Sequence, residues 1–152
     1  RITLELTETA AMRDAVQMMD ALTRLRVKGF QVAIDDFGTG YSSLLQLHRL
    51  PFSEIKIDST FVAGCATSSE SRSIVRLVVD LAHALGMKAV AEGGETADAL
   101  RLLREMGCDE AQGAFIALPL PAVDVPAAVA RHAESAWYRA SGPWPQVVSA
   151  AP

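Results

Sequence analysis

Apolar and polar positions along the chain fall into one recurring unit. It is a short β-type run, an acidic or polar residue near its end, a helical stretch, then a glycine. Ile2–Leu6 alternates, which directs Leu4 and Leu6 one way and Glu5 the other. The spacing of Val16, Met19, Leu22 and Leu25 predicts a helix from about Ala11 to Val27, stopped by Gly29. Phe30–Ile34 reads as the second strand, ending at Asp35-Asp36, and Phe37–Tyr41, with two glycines, reads as a loop. Ser42–Leu50 is a short helix that Pro51 ends. Glu54–Asp58 is a third strand, with Ile55 and Ile57 flanking Lys56. Ile74, Leu77, Val78, Leu81 and Leu85 mark the clearest helix, Ser69–Leu85, closed by Gly86. Met87–Ala91 is a fourth strand, closing on Glu92. Thr96 is the expected N-cap of a helix running to Met106. Asp109–Ile116 reads as a fifth strand holding Gln112-Gly113, and a last helix spans about Val123 to Tyr138. The Pro, Ser and Ala content from residue 141 on predicts a frayed tail, 141–152, after a domain at 1–140.

Strands alternating with helices predict an α/β fold with a parallel sheet. Five units are present, whereas a closed eight-unit barrel needs about 250 residues. The chain is therefore a small open sheet or the last five-eighths of a (β/α) barrel. It starts at Arg1 without Met and enters a strand pattern at once, so it is expected to be part of something longer.

Composition narrows the class. Half the residues are apolar and 21% are charged, which excludes disordered, coiled-coil and collagen-like chains. A net charge of −4 with no basic face argues against duplex nucleic acid as a partner. Cys65 and Cys108 stand alone in no metal-binding spacing, which predicts a reducing, cytoplasmic setting.

In parallel α/β folds, side chains at the C-terminal strand ends face the ligand. Glu5, Asp35, Asp36, Lys56, Glu92 and Gln112 lie at or near the ends of five successive predicted strands. Four carboxylates and one ammonium on one rim are costly unless a further ion is bound there. An all-oxygen set without His or Cys favours Mg²⁺ or Mn²⁺ over zinc. Adjacent Asp35 and Asp36 can serve two ions, and two ions about 3.5–4 Å apart suit in-line displacement at phosphorus. Lys56 could then hold the attacking water or neutralise phosphoryl oxygens. Plainer roles exist for several of these residues. Glu8 or Glu95, taken singly, fits a solvated acid or a helix cap, Lys56 could snorkel to solvent, and the Gly-rich turn could be turn chemistry alone. His48, His83 and His132 read as structural or surface residues. Met12, Met18 and Met19 read as core or helix filler.

The run Asp-Asp-Phe-Gly-Thr-Gly-Tyr-Ser-Ser-Leu at 35–44 resembles the signature of EAL domains, the bacterial cyclic-di-GMP phosphodiesterases. So do Glu5-Leu-Thr-Glu8, Leu50-Pro51 with Ile55-Lys56-Ile57-Asp58, Ala91-Glu92-Gly93-Gly94-Glu95-Thr96 and Gly107-Cys-Asp-Glu-Ala-Gln112-Gly113, in family order up to about residue 121. The resemblance implies a TIM-type (β/α) barrel that hydrolyses cyclic-di-GMP to linear pGpG with two Mg²⁺ or Mn²⁺ ions, Ca²⁺ inhibiting. It implies that Glu5, Asp35, Asp36 and Glu92 are metal ligands, Asp35 bridging both ions. Lys56, Glu92 and Gln112 would be catalytic, at the nucleophilic water, the phosphate and the metal shell. Asp36, Glu95 and Pro119 would meet the substrate, the last two at a guanine. Glu8 would stabilise the loop holding Gly38, Thr39 and Gly40, which the family uses for metal binding and dimer coupling. A homodimer and an upstream sensor or GGDEF-type domain are implied, and any membrane anchor would lie in domains outside this chain.

Two departures from the family pattern stand out. The naming Glu-Ala-Leu motif and an Asn ligand are absent, so this chain carries part of the metal shell and is expected to be inactive alone. Gly94 stands where the family usually has Val, Ala114 where it has an aromatic, and Ile116-Ala117-Leu118 lacks the polar and basic residues often found before Pro-Leu-Pro at 119–121. The alternatives are a degenerate or truncated EAL domain acting as a non-catalytic cyclic-di-GMP receptor, or as a signalling and dimerisation module.

Overall fold

The structure, a computed structural model, describes residues 2–11, 15–38 and 44–135. Five parallel strands form one sheet: β1 (Thr3–Thr7), β2 (Gln31–Phe37), β3 (Glu54–Ile57), β4 (Lys88–Ala91) and β5 (Glu110–Ala111). Their spatial order is β1-β2-β3-β4-β5, the order of the chain. A doubly wound sheet reverses its strand order part-way. An unbroken sequential order is instead an arc of a (β/α) barrel, and that settles the alternative left open by the pattern.

Helices connect the strands: α1 (Glu8–Ala11), α2 (Ala15–Val27), α3 (Leu44–Arg49), α4 (Ser59–Gly64), α5 (Ser69–Ala84) and α6 (Ala97–Glu105). A 3₁₀ turn (Ala122–Asp124) leads into α7 (Val125–Glu134). Central strands read as apolar runs because both faces are covered. Val32, Ile34, Ile55, Ile57, Ala89 and Ala91 are buried with Leu22, Val75, Val79, Leu100 and Leu103 from the helices. Polar residues set the helix starts. The side chains of Asp58, Ser68 and Thr96 accept from Thr60 N, Ser71 N and Ala99 N at 2.9, 3.2 and 3.1 Å. Gly86 ends α5 in the left-handed region (φ 71°), and Met87 N then donates to Ala82 O at 2.8 Å. No described helix is long and apolar enough to cross a membrane.

Several boundaries differ from the pattern. β2 runs on through Asp35-Asp36 to Phe37, because Phe37 is buried in the sheet rather than released to the loop. The predicted fifth strand shrinks to two residues. Gly113 turns the chain, and Ile116 N and Ala117 N both donate to Gly113 O. Helix α4 was not predicted, since Phe61-Val62 is too short a run to show a period. The predicted Ala11–Val27 helix corresponds to α2, and α1 lies earlier, at Glu8–Ala11; residues 12–14 between them are outside the described residues. So are the ends of the predicted 42–50 and 123–138 helices, most of the 37–41 loop, and the whole 141–152 tail.

Candidate active site

Adjacent side chains in a regular strand point to opposite faces. Asp35 and Asp36 escape this rule through a bulge. Ile34 pairs with Ile55 and Phe37 with Ile57, so both acids stand opposite Lys56 alone. Asp36 absorbs the extra residue at φ 55°, a left-handed conformation that a short carboxylate side chain tolerates better than most. Bulges beside functional sites commonly re-aim side chains in this way. Oxygens of Asp35, Asp36 and Glu92 lie within 4.8 Å of one another.

Lys56 lies at the centre. It is 4% exposed. Its Nζ is 2.8 Å from Glu5 Oε2, 3.0 Å from Asp35 Oδ1 and 2.5 Å from Glu92 Oε1. Burial pulls the ammonium's pKa down, but the bonds to Glu5, Glu92 and Asp35 outweigh it and hold the group above its ordinary value. The Asp35 contact is ionic, and its angles fall short of a hydrogen bond at that buried oxygen.

Glu92 follows β4, where its backbone N–H donates to Ile57 O at 3.2 Å. Its Oε1 also accepts from Gln112 Nε2 at 2.7 Å. Gln112 is held in turn by backbone bonds. Its N–H donates to Ala91 O at 2.9 Å, and its carbonyl accepts from Gly94 N at 3.0 Å. This contact requires Gly113, where a Cβ would fall 2.4 Å from Gly94 N. Glu8 is buried on α1, and its Oε2 accepts from Gly38 N at 3.2 Å, tying helix to loop.

The structure thus brings Glu5, Asp35, Asp36, Lys56, Glu92 and Gln112 together. Glu95 and Pro119 are exposed on the stretches that follow β4 and β5, outside the Lys56 ion-pair cluster. Thr39 and Gly40 lie outside the described residues. Sequence reasoning missed the bulge and the Gly113–Gly94 contact. The signal for the first was an apolar Phe37 directly after two acids. The second left its mark as Gly93-Gly94 and Gly113 beside two expected site residues.

The donor set fits a hard divalent cation. It is all oxygen, three carboxylates converge on one ammonium with Asp36 beside two of them, and a buried Asp35 oxygen lacks a well-angled donor.

The sequence matches the EAL domain family over residues 1–119. The chain belongs to the EAL domain family. EAL domains form a family of cyclic-di-GMP phosphodiesterases. Among relatives, this EAL sequence is 46% identical over 127 residues to the bifunctional diguanylate cyclase/cyclic di-GMP phosphodiesterase MucR of Pseudomonas aeruginosa, covering 84% of this chain and 18% of MucR. The solved MucR phosphodiesterase in complex with c-di-GMP matches with a TM-score of 0.77 at 46% identity, over 81% of this chain and 50% of that one. Klebsiella pneumoniae BlrP1, solved as a manganese/cyclic-di-GMP complex, matches with a TM-score of 0.67 at 39% identity, over 73% of this chain and 28% of that one. BlrP1 is also known as a calcium/cyclic-di-GMP complex. This EAL chain therefore spans about half of the solved MucR domain structure and less than a fifth of the whole MucR protein.

Proposed function

We propose that this chain forms the C-terminal part of a phosphodiesterase site that hydrolyses cyclic-di-GMP to linear pGpG in a complete EAL domain. The observation that carries the reading is the convergence of Glu5, Asp35 and Glu92 on buried Lys56, with Asp36 brought to the same place by the bulge.

Glu5, Asp35, Asp36 and Glu92 would hold two Mg²⁺ or Mn²⁺ ions, which when bound supply an acidified water and charge neutralisation at phosphorus. Without divalent ions its carboxylate partners hold Lys56 above its ordinary pKa, and as an ammonium it would offer positive charge to the phosphoryl oxygens. Gln112 orients Glu92 through the 2.7 Å bond, which places that carboxylate to accept the proton of the attacking water. A bond from the water oxygen to phosphorus would form as the bond to the 3′-oxygen breaks, Glu92 keeping the water's proton and the 3′-oxygen taking one from solvent. Asp36, Glu95 and Pro119 are proposed to meet the nucleotide. Glu8 is proposed to hold the loop of Gly38, Thr39 and Gly40. A homodimer and an upstream sensor or GGDEF-type domain belong to the same reading.

A second reading has its own support. Among the described residues only Asp35, Asp36 and Glu92 form a compact ligand group, and Glu5 is not part of it. That is enough for one ion, so this chain alone would bind the nucleotide as a receptor without turning it over. One experiment separates the readings. The chain is joined to the N-terminal half of the MucR EAL domain, and product is followed by chromatography. The phosphodiesterase reading expects pGpG in Mg²⁺ or Mn²⁺ and none in a chelator. A folded chimera that binds cyclic-di-GMP without cleaving it in either ion sinks that reading and favours the receptor.

A further inference from the structure

Lys56 touches the oxygens that divalent ions would need. Its three partners, Glu5 Oε2, Asp35 Oδ1 and Glu92 Oε1, come from three residues read here as metal ligands, at 2.5–3.0 Å. An ammonium has three donors and no acceptor, and here it faces three carboxylate oxygens, the Asp35 oxygen through an ionic contact. Glu92 Oε1 is engaged twice, by Lys56 and by Gln112 at 2.7 Å. The Lys56 side chain is 5% exposed, so bulk water screens its charge poorly. An ion about 2.1 Å from the same oxygens would lie within a few ångströms of Nζ, where two positive charges repel strongly.

We propose that Lys56 is a resident counter-ion: it occupies the carboxylate cluster when divalent ions are absent, yields it as they enter, and thereby sets the site's metal affinity. The inference rests on the metal-site reading above. It makes Lys56 a competitor for metal as well as a group that faces substrate. The opposite view is that Lys56 only preorganises the oxygens, in which case its removal weakens metal binding. The two views differ in sign.

The test titrates Mn²⁺ alone into the 152-residue chain and reads free Mn²⁺ by electron paramagnetic resonance, which needs no turnover. Lys56→Met is expected to bind Mn²⁺ at least about tenfold more tightly than wild type, because a competing charge is gone. Lys56→Arg keeps the charge and is expected to bind no more tightly than wild type. Mn²⁺ binding by wild type with no gain, or a loss, in Lys56→Met overturns the inference and leaves the metal reading standing. No Mn²⁺ binding by either overturns both. A second measurement uses the wild-type chain alone and covers the case of an unfolded variant. The Lys56 ammonium protons, followed by nuclear magnetic resonance, should exchange with solvent at least about tenfold faster in saturating Mg²⁺ than without it. Unchanged exchange overturns the inference.

Discussion

Replacing Gly113 with alanine tests how the site is held. A Cβ there would meet Gly94 N at 2.4 Å, Gly94 O at 2.5 Å and Gly94 C at 2.7 Å. All three are backbone atoms, so no side chain can swing aside. Carbon contacts relax near 3.5–4.0 Å, so one strand end must move by roughly 1 Å. That movement breaks Gly94 N to Gln112 O (3.0 Å) and Phe115 N to Gly94 O (3.3 Å). Each bond contributes about 1 kcal/mol net, overpacking adds about 1–3 kcal/mol, and the lower entropy of the unfolded alanine chain returns under about 1 kcal/mol. The expected loss is about 2–5 kcal/mol, or a drop in Tm of roughly 5–20 °C for a chain of this size. Urea unfolding followed by circular dichroism measures it. Gly29→Ala is the control. Its backbone is left-handed (φ 87°), unlike that of Gly113, but no atom lies within 4 Å of the new Cβ, so backbone strain alone should cost about 1 kcal/mol. Gly113→Ala no more destabilising than Gly29→Ala would refute the close-approach argument.

Other consequences follow from the same structure. Asp109 is buried, and its Oδ2 accepts from Ala89 N at 2.8 Å and lies 2.8 Å from His83 Nε2. Asp109→Ala should therefore cost about 2–3 kcal/mol in urea unfolding, and a loss below about 0.5 kcal/mol would contradict that. Burial pushes the Cys108 thiol up from 9.0 to about 12, so the native state keeps its proton while the unfolded state loses it first. Its stabilisation is complete below pH 9 and lost between 9 and 12, at no more than about 1.4 kcal/mol per pH unit. Stability should accordingly fall more steeply over that range in wild type than in Cys108→Ala. The raised Lys56 acts in the same direction above 10.5 in both proteins. In the MucR chimera, Asp35→Asn should abolish pGpG formation, and Ca²⁺ in place of Mg²⁺ should retain nucleotide binding with little product, because Ca²⁺ is larger and less strict in geometry.

Much of the site was legible because its chemistry recurs with the strand unit. Asp35-Asp36, Lys56 and Glu92 each follow or interrupt an apolar run, and the structure brings them together with Gln112. The three partners of Lys56 lie on three other segments of the chain. Only the parallel register of β1 to β4 brings them within 3.0 Å, and no local pattern encodes that. The bulge was hidden for the same reason: strand alternation places Asp35 and Asp36 on opposite faces, and the pairing of Phe37 with Ile57 overrides it. The fifth strand was overread as Asp109–Ile116, although only Phe115 and Ile116 in that run are strong strand formers. What ends it after Ala111 is the approach of Gly113 to Gly94 from another loop.

The location of bound metal tests the central claim most directly. Crystals of the chain soaked in Mn²⁺ and measured at the manganese absorption edge would show where the ion goes. The account predicts an anomalous peak among the carboxylates of Asp35, Asp36 and Glu92, with Lys56 Nζ drawn away from at least one of its three partners. A peak elsewhere, or no peak with all three Lys56 contacts intact at saturating Mn²⁺, would contradict it.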